Sequence, residues 1–154
     1  MRNMNHVRFM AWLKKHGACE SGIAWVHAGK LSARKTWERL ENPSWLLWFA
    51  DKIPDVTQQQ IVLAACACAE TALRYVPEGE LRPAQAIETA RRWARGEATI
   101  EEAWAAEAAA WAAARAAARA AAEAWAAAGA EANKIMCDLI RKKIFPFEKK
   151  GGTN

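Results

Sequence analysis

Apolar residues recur three and four apart along this chain, and no run alternates apolar and polar positions with the period of two that a strand requires. Val7 to His16 carries apolar and basic positions in helical register and stops at Gly17, a residue suited to a left-handed helix end. Ser21 is placed to cap a short helix through Ile23, Trp25 and Val26 that ends near Gly29, and Ser32 to cap another through Trp37 and Leu40. Asn42-Pro43 combines a capping side chain with a proline in the first turn. It launches Trp45-Leu46-Leu47-Trp48-Phe49, apolar on all sides, which predicts a short core helix closed by Pro54.

Thr57 and Gln60 form a capping-box pair ahead of a helix predicted to reach about Tyr75, before Pro77 and Gly79. Pro83 opens a helix over Ala84 to Arg95 with Gly96 at its end. Thr99 and Glu102 form a second capping-box pair. Beyond Gly129, which either ends or merely weakens the helix before it, lies an amphipathic segment. Ile135, Leu139 and Ile140 are its apolar positions, and Lys134, Arg141, Lys142 and Lys143 its basic ones, up to Pro146. The expected architecture is all-α. It is a single-domain bundle of about six to seven helices over 1–146, with a flexible basic tail at 147–154.

Composition sharpens one element. Between Thr99 and Ala132, 21 of 34 residues are alanine, the strongest helix former, so this stretch is expected to form one long alanine-rich helix. Unbroken, it would run roughly 50 Å at the α-helical rise. Projected at about 100° per residue, Trp104, Trp111, Arg115 and Trp125 fall on one side, and Ala106, Ala113, Ala117, Ala120 and Ala124 on the other. Either the bare side packs closely on a neighbouring helix and the long side chains face solvent or a partner, or the tryptophans are core and the alanines face water. The bare side and the helix length suggest a homodimer or higher homo-oligomer.

No stretch reaches 18 uncharged apolar residues, the alanine-rich helix being interrupted by Glu107, Arg115, Arg119 and Glu123, so no membrane span is expected. The N-terminus lacks the apolar core of a signal peptide, which makes the cytoplasm the default location. Cys19, Cys66, Cys68 and Cys137 then read as buried thiols. Cys66 and Cys68 are two apart on a helix and point about 200° away from each other, a poor arrangement for a shared metal. The net charge of +5 is uneven. Residues 1–60 and 134–154 each carry +4, whereas 101–133 carry −3. Such asymmetry either attracts an anionic partner or simply keeps the surface solvated.

No nucleophile–base pair, phosphate loop or metal-ligand spacing is legible, so no catalytic residue, metal or cofactor is assigned. Glu101 and Glu102 lie in the first turn of a helix, where the dipole accounts for them. The best candidate for binding chemistry is Arg82, Arg91, Arg92 and Arg95 with Trp93 nearby. Arg91 and Arg95 share a helical face close to the helix start at Thr99. This group can hold a carboxylate or a nucleotide phosphate, or it can be paired with Glu88, which lies within a turn of Arg91 and Arg92. Basic residues form no single stripe, which argues against duplex nucleic acid. Nine tryptophans exceed what a small core needs, so some, Trp12 or Trp104 and Trp111 among them, are candidate surface anchors alongside Arg115.

Arg82-Pro83, the run AIETARRWARGEATIEEA over 86–103 and the alanine-rich helix after it resemble the small "putative immunity protein" family of bacteria and phages. Cys19, Gly22, Trp25, the Pro43-x-Trp45-x-x-Trp48 run and Cys66-Ala67 are similar in order, so the likeness extends over roughly residues 15–130. The resemblance implies an α-helical binder that neutralises a toxin or, in a phage, inhibits a host defence protein, with no catalytic residue to carry over. The basic C-terminal segment departs from the pattern. A second function class stands beside this one: sequestration of a small anionic ligand such as a signalling nucleotide by Arg91, Arg95 and Trp93.

Overall fold

The structure is a computed structural model that describes residues 4–76, 78–102, 104–105, 129, 131–144 and 146–147. Among these, every regular element is helical and none is a strand, as the apolar periodicity requires. The order is α1 (His6–Lys15), α2 (Glu20–Ala28), α3 (Ala33–Arg39), α4 (Pro43–Asp51), α5 (Gln58–Glu70), a 3₁₀ turn at Leu73–Tyr75, and α6 (Arg82–Ala94). Helical backbone returns at 100–102, at 104–105, at Gly129 and over 131–143. Trp111, Arg115 and nearly all of the projected alanine-rich rod lie outside the described residues. Gly129 is helical, so it does not serve as the left-handed terminus that would end a helix.

Local capping follows the side chains. Asn42 Oδ1 accepts from the Trp45 N–H at 3.0 Å, and Ser32 Oγ from the Lys35 N–H at 3.3 Å. Thr57 and Gln60 close a reciprocal box on α5. The start of α2 differs from expectation. Cys19, not Ser21, is the N-cap, and it supplies no side-chain capping bond; Ser21 lies inside the first turn and points its hydroxyl back to Cys19 Sγ. Placed at this helix start, Cys19 is exposed, whereas Cys66, Cys68 and Cys137 are buried as expected. The left-handed residue after α2 is Lys30 (φ 48°), while Gly29 keeps right-handed dihedrals. Gly29 is needed for closeness instead: a Cβ there would sit 2.9 Å from Leu31 Cγ, and Leu31 is a core residue.

The core is centred on Phe49 of α4. Its ring lies 5.3 Å from Phe9, 5.7 Å from Trp12 and 5.9 Å from Trp37, joining α1, α3 and α4 in one aromatic cluster. Trp12, a candidate surface anchor by sequence, instead stacks between Phe9 and His16 and meets Trp48 edge-on. Phe147 packs edge-on against Trp37.

The second half of α5, residues 64–69, is built of small apolar side chains and is covered on two sides. Cys68 directs its thiol to the Met136 carbonyl of the C-terminal segment, and Cys66 directs its own to the Ile87 carbonyl of α6, as their angular separation requires. On the C-terminal segment the buried face is Cys137, Ile140 and Ile144. Ile135, expected on the apolar side, is 40 % exposed, since the stripe that meets α3 and α5 begins one position later. Arg141, expected on the solvated basic face, reaches back to α3 and donates from Nε to the Trp37 carbonyl at 2.9 Å and from Nη2 to the Leu40 carbonyl.

Candidate functional site

α6 packs along α5 yet contains no fully buried residue. Pro83, Ala86, Ile87, Ala90, Trp93 and Ala94 recur at helical spacing and are half-buried, so they form the stripe that leans on α5. Glu88, Arg92 and Arg95 fall on the exposed side. Trp93 therefore contributes mainly as an inner, packing side chain.

Each arginine of the group has a defined partner. At the N-terminus, Glu80 accepts from the Arg82 N–H at 3.0 Å and from Arg82 Nε at 2.8 Å, with a second guanidinium contact to its other oxygen. The Arg82 side chain holds the Glu80 carboxyl down at about 2, and the carboxylate lies where the helix dipole favours negative charge. Arg91 pairs with Glu70, the last residue of α5, and so ties the two helices together. Arg95 donates to Glu88 at 3.2 Å and to Glu97 at 2.9 Å. Arg92 donates from Nη2 to the Glu97 carbonyl at 3.0 Å, while its own carbonyl accepts from the Glu97 N–H at 2.8 Å.

The pairing is thus real but differs from the sequence expectation. Glu88 serves Arg95, two turns along the same stripe, because Arg91 turns across to α5 and Arg92 folds onto the backbone beyond the helix. Glu70 carries no sequence signal that would have named it, whereas Glu80 and Glu97 each stand two residues from the arginine they hold.

The segment after α6 is fixed from both ends. Gly96 adopts φ 77° and donates to the Trp93 carbonyl at 2.9 Å, a left-handed exit that a side chain would strain. Three residues later, Thr99 and Glu102 exchange capping bonds, with the Thr99 N–H to Glu102 Oε2 at 2.7 Å and the Glu102 N–H to Thr99 Oγ1 at 3.2 Å. Trp104, two residues further, is 62 % exposed. Of the projected tryptophan side of the rod it is the tryptophan that is described, and it faces solvent.

This surface lies within a span that can be placed by comparison. The family model described as Imm-5 like putative immunity protein matches residues 51–136, more than half of the chain. The chain belongs to this family. The immunity-family span covers α5, α6, the arginine row and Trp104, whereas α1 to α3 and nearly all of α4, with Cys19, Gly22, Trp25 and the Pro43–Trp48 run, precede it. No curated protein and no solved structure matches the chain. Among the described residues no helix is long and apolar enough to cross a membrane, and no group of three or more metal-ligating side chains converges.

Proposed function

We propose that this chain is an immunity-type protein that neutralises an effector protein by binding it, without catalysis, through the exposed side of α6 and the segment leading to Trp104. The observation that carries this reading is Trp104 itself. A tryptophan 62 % exposed stands two residues beyond a capping box, next in sequence to an arginine row within the immunity-family span. Tryptophan and arginine are the side chains most enriched where binding energy concentrates, and positions already held by caps and ion pairs lose little freedom on association. Arg82, Arg91 and Arg95 supply the charged frame, with Trp93 supporting it from within. Trp111 and Arg115 are proposed as its continuation along the alanine-rich stretch.

The nucleotide reading draws less support. Arg82, Arg91 and Arg95 each face a carboxylate already, so an anionic ligand would have to displace Glu80, Glu70, or Glu88 with Glu97 before gaining its own contacts. Co-expression with effector domains encoded next to this gene tests the proposal. Growth rescue by the wild type, lost in Trp104→Ala and weakened in Arg95→Gln while the melting temperature stays nearly put, is the expected outcome. Rescue that survives both substitutions would overturn the assigned surface. A melting temperature raised by several degrees across a nucleotide panel would favour ligand sequestration. Light scattering reports whether the chain forms the homo-oligomer proposed from the bare alanine side.

A further inference from the structure

Of the arginines along α6 and at its end, Arg82, Arg91 and Arg95 each face a carboxylate. Arg92 does not. It is exposed, and among the described residues its side chain makes one bond, from Nη2 to the Glu97 carbonyl at 3.0 Å. This outcome runs against the local rule. Glu88 lies four positions before Arg92, the spacing and order in which a carboxylate and a cation pair best on a helix. Glu88 nevertheless extends to Arg95, and Glu97, whose carbonyl holds Arg92, also turns its carboxylate to Arg95.

The unmatched guanidinium is held in place. The Arg92 carbonyl accepts from the Arg95 N–H at 3.1 Å and from the Glu97 N–H at 2.8 Å. Side chain and main chain of Arg92 thus both close on the segment that Gly96 turns out of the helix. A guanidinium carries five N–H groups in one plane, and the Glu97 carbonyl engages one of them. The others form a fork of the kind that takes a carboxylate through two parallel bonds.

A carboxylate from outside reaches Arg92 without displacing one of this chain's own, as it must at Arg82, Arg91 or Arg95. Exposed ion pairs contribute little, whereas one closed off from water beneath a partner counts for far more. Trp104, 62 % exposed, supplies apolar cover on the same assigned surface. A nucleic-acid backbone needs several free cations together, and the neighbouring arginines are neutralised, so a single carboxylate is the better fit. We infer that Arg92 determines partner specificity here through a two-pronged bond to one aspartate or glutamate of the effector protein. The inference rests on the reading that α6 and the segment to Trp104 form the binding surface.

Calorimetric titration of the full chain with the purified effector domain encoded next to this gene tests it. Arg92→Gln is expected to weaken binding about thirtyfold, and Arg92→Lys, which keeps the charge and loses the fork, about tenfold. Lys134→Gln removes the same charge from an exposed position off this surface and should change the affinity by less than about threefold. All three should melt within about 2 °C of the wild type. Replacing the effector's aspartates and glutamates one at a time by their amides should reveal one that weakens binding to the wild type and has no further effect on Arg92→Gln. An Arg92→Gln affinity within about threefold of the wild type, where Trp104→Ala abolishes binding, would overturn the inference and leave the surface standing. Full affinity in both variants would remove the surface as well. Arg92-dependent binding of a mixed-sequence single-stranded RNA, with no such carboxylate on the effector, would overturn the inference in favour of phosphate.

Discussion

Arg141→Met tests whether one side chain from the end of the chain holds α3 in place. α3 has seven residues, too few to persist alone, and its last turn presents carbonyls with no intrahelical donor. Arg141 satisfies the Trp37 and Leu40 carbonyls from a side chain that is only 21 % exposed, and it places a cation where the helix dipole favours one. Charge-assisted bonds of this kind contribute about 1.5–3 kcal/mol each. Methionine preserves the apolar stem, and water regains part of the carbonyl solvation, so the expected loss is roughly 2–4 kcal/mol. For a domain of this size that lowers Tm by about 5–15 °C. Arg141 also meets Asp138 at 3.1 Å, but Asp138 is well exposed and that pair is worth little. Guanidinium unfolding followed by circular dichroism should therefore show a lower midpoint at unchanged slope for Arg141→Met, and about half that shift for Arg141→Lys. Asp138→Asn should stay within about 0.5 kcal/mol. Equal midpoints for Arg141→Met and Asp138→Asn would refute the capping argument.

Other substitutions probe the core and the thiols. Phe49→Ala removes the ring that Phe9, Trp12 and Trp37 share, and should cost about 3–5 kcal/mol in the same unfolding assay. Burial pushes the Cys68 and Cys137 thiols from 9.0 up to about 11. The folded state therefore keeps their protons to higher pH than the unfolded chain does. Their contribution is complete below about pH 9 and is lost as pH rises through 11, roughly 3 kcal/mol per thiol, and Cys68→Ala should flatten that alkaline decline. In native protein a chromogenic disulfide reagent should titrate Cys19 rapidly and reach Cys66, Cys68 and Cys137 only on unfolding. Four fast thiols would contradict their placement.

What was legible in the residues was whatever reaches no further than one helical turn. The Asn42 cap, the box of Thr57 with Gln60, the box of Thr99 with Glu102 and the opposed directions of Cys66 and Cys68 each depend on backbone groups within four positions. One local rule failed where two capping positions competed: α2 starts after Cys19, although Ser21 is the better capping side chain. Of the candidate site, the arginines and Trp104 were legible by type and spacing, whereas the carboxylates that hold them were only partly so.

Membership of the helical class and most of the helix starts thus came from local pattern alone, because helix periodicity and capping are written in neighbouring residues. Tertiary structure decided which carboxylate meets which arginine, that Ile135 faces solvent while Cys137 does not, that Arg141 caps a helix about a hundred residues away, and that the Thr36 hydroxyl is buried without a partner. Those outcomes depend on how helix faces meet when apolar stripes are buried together, and that geometry joins positions with no fixed separation along the chain.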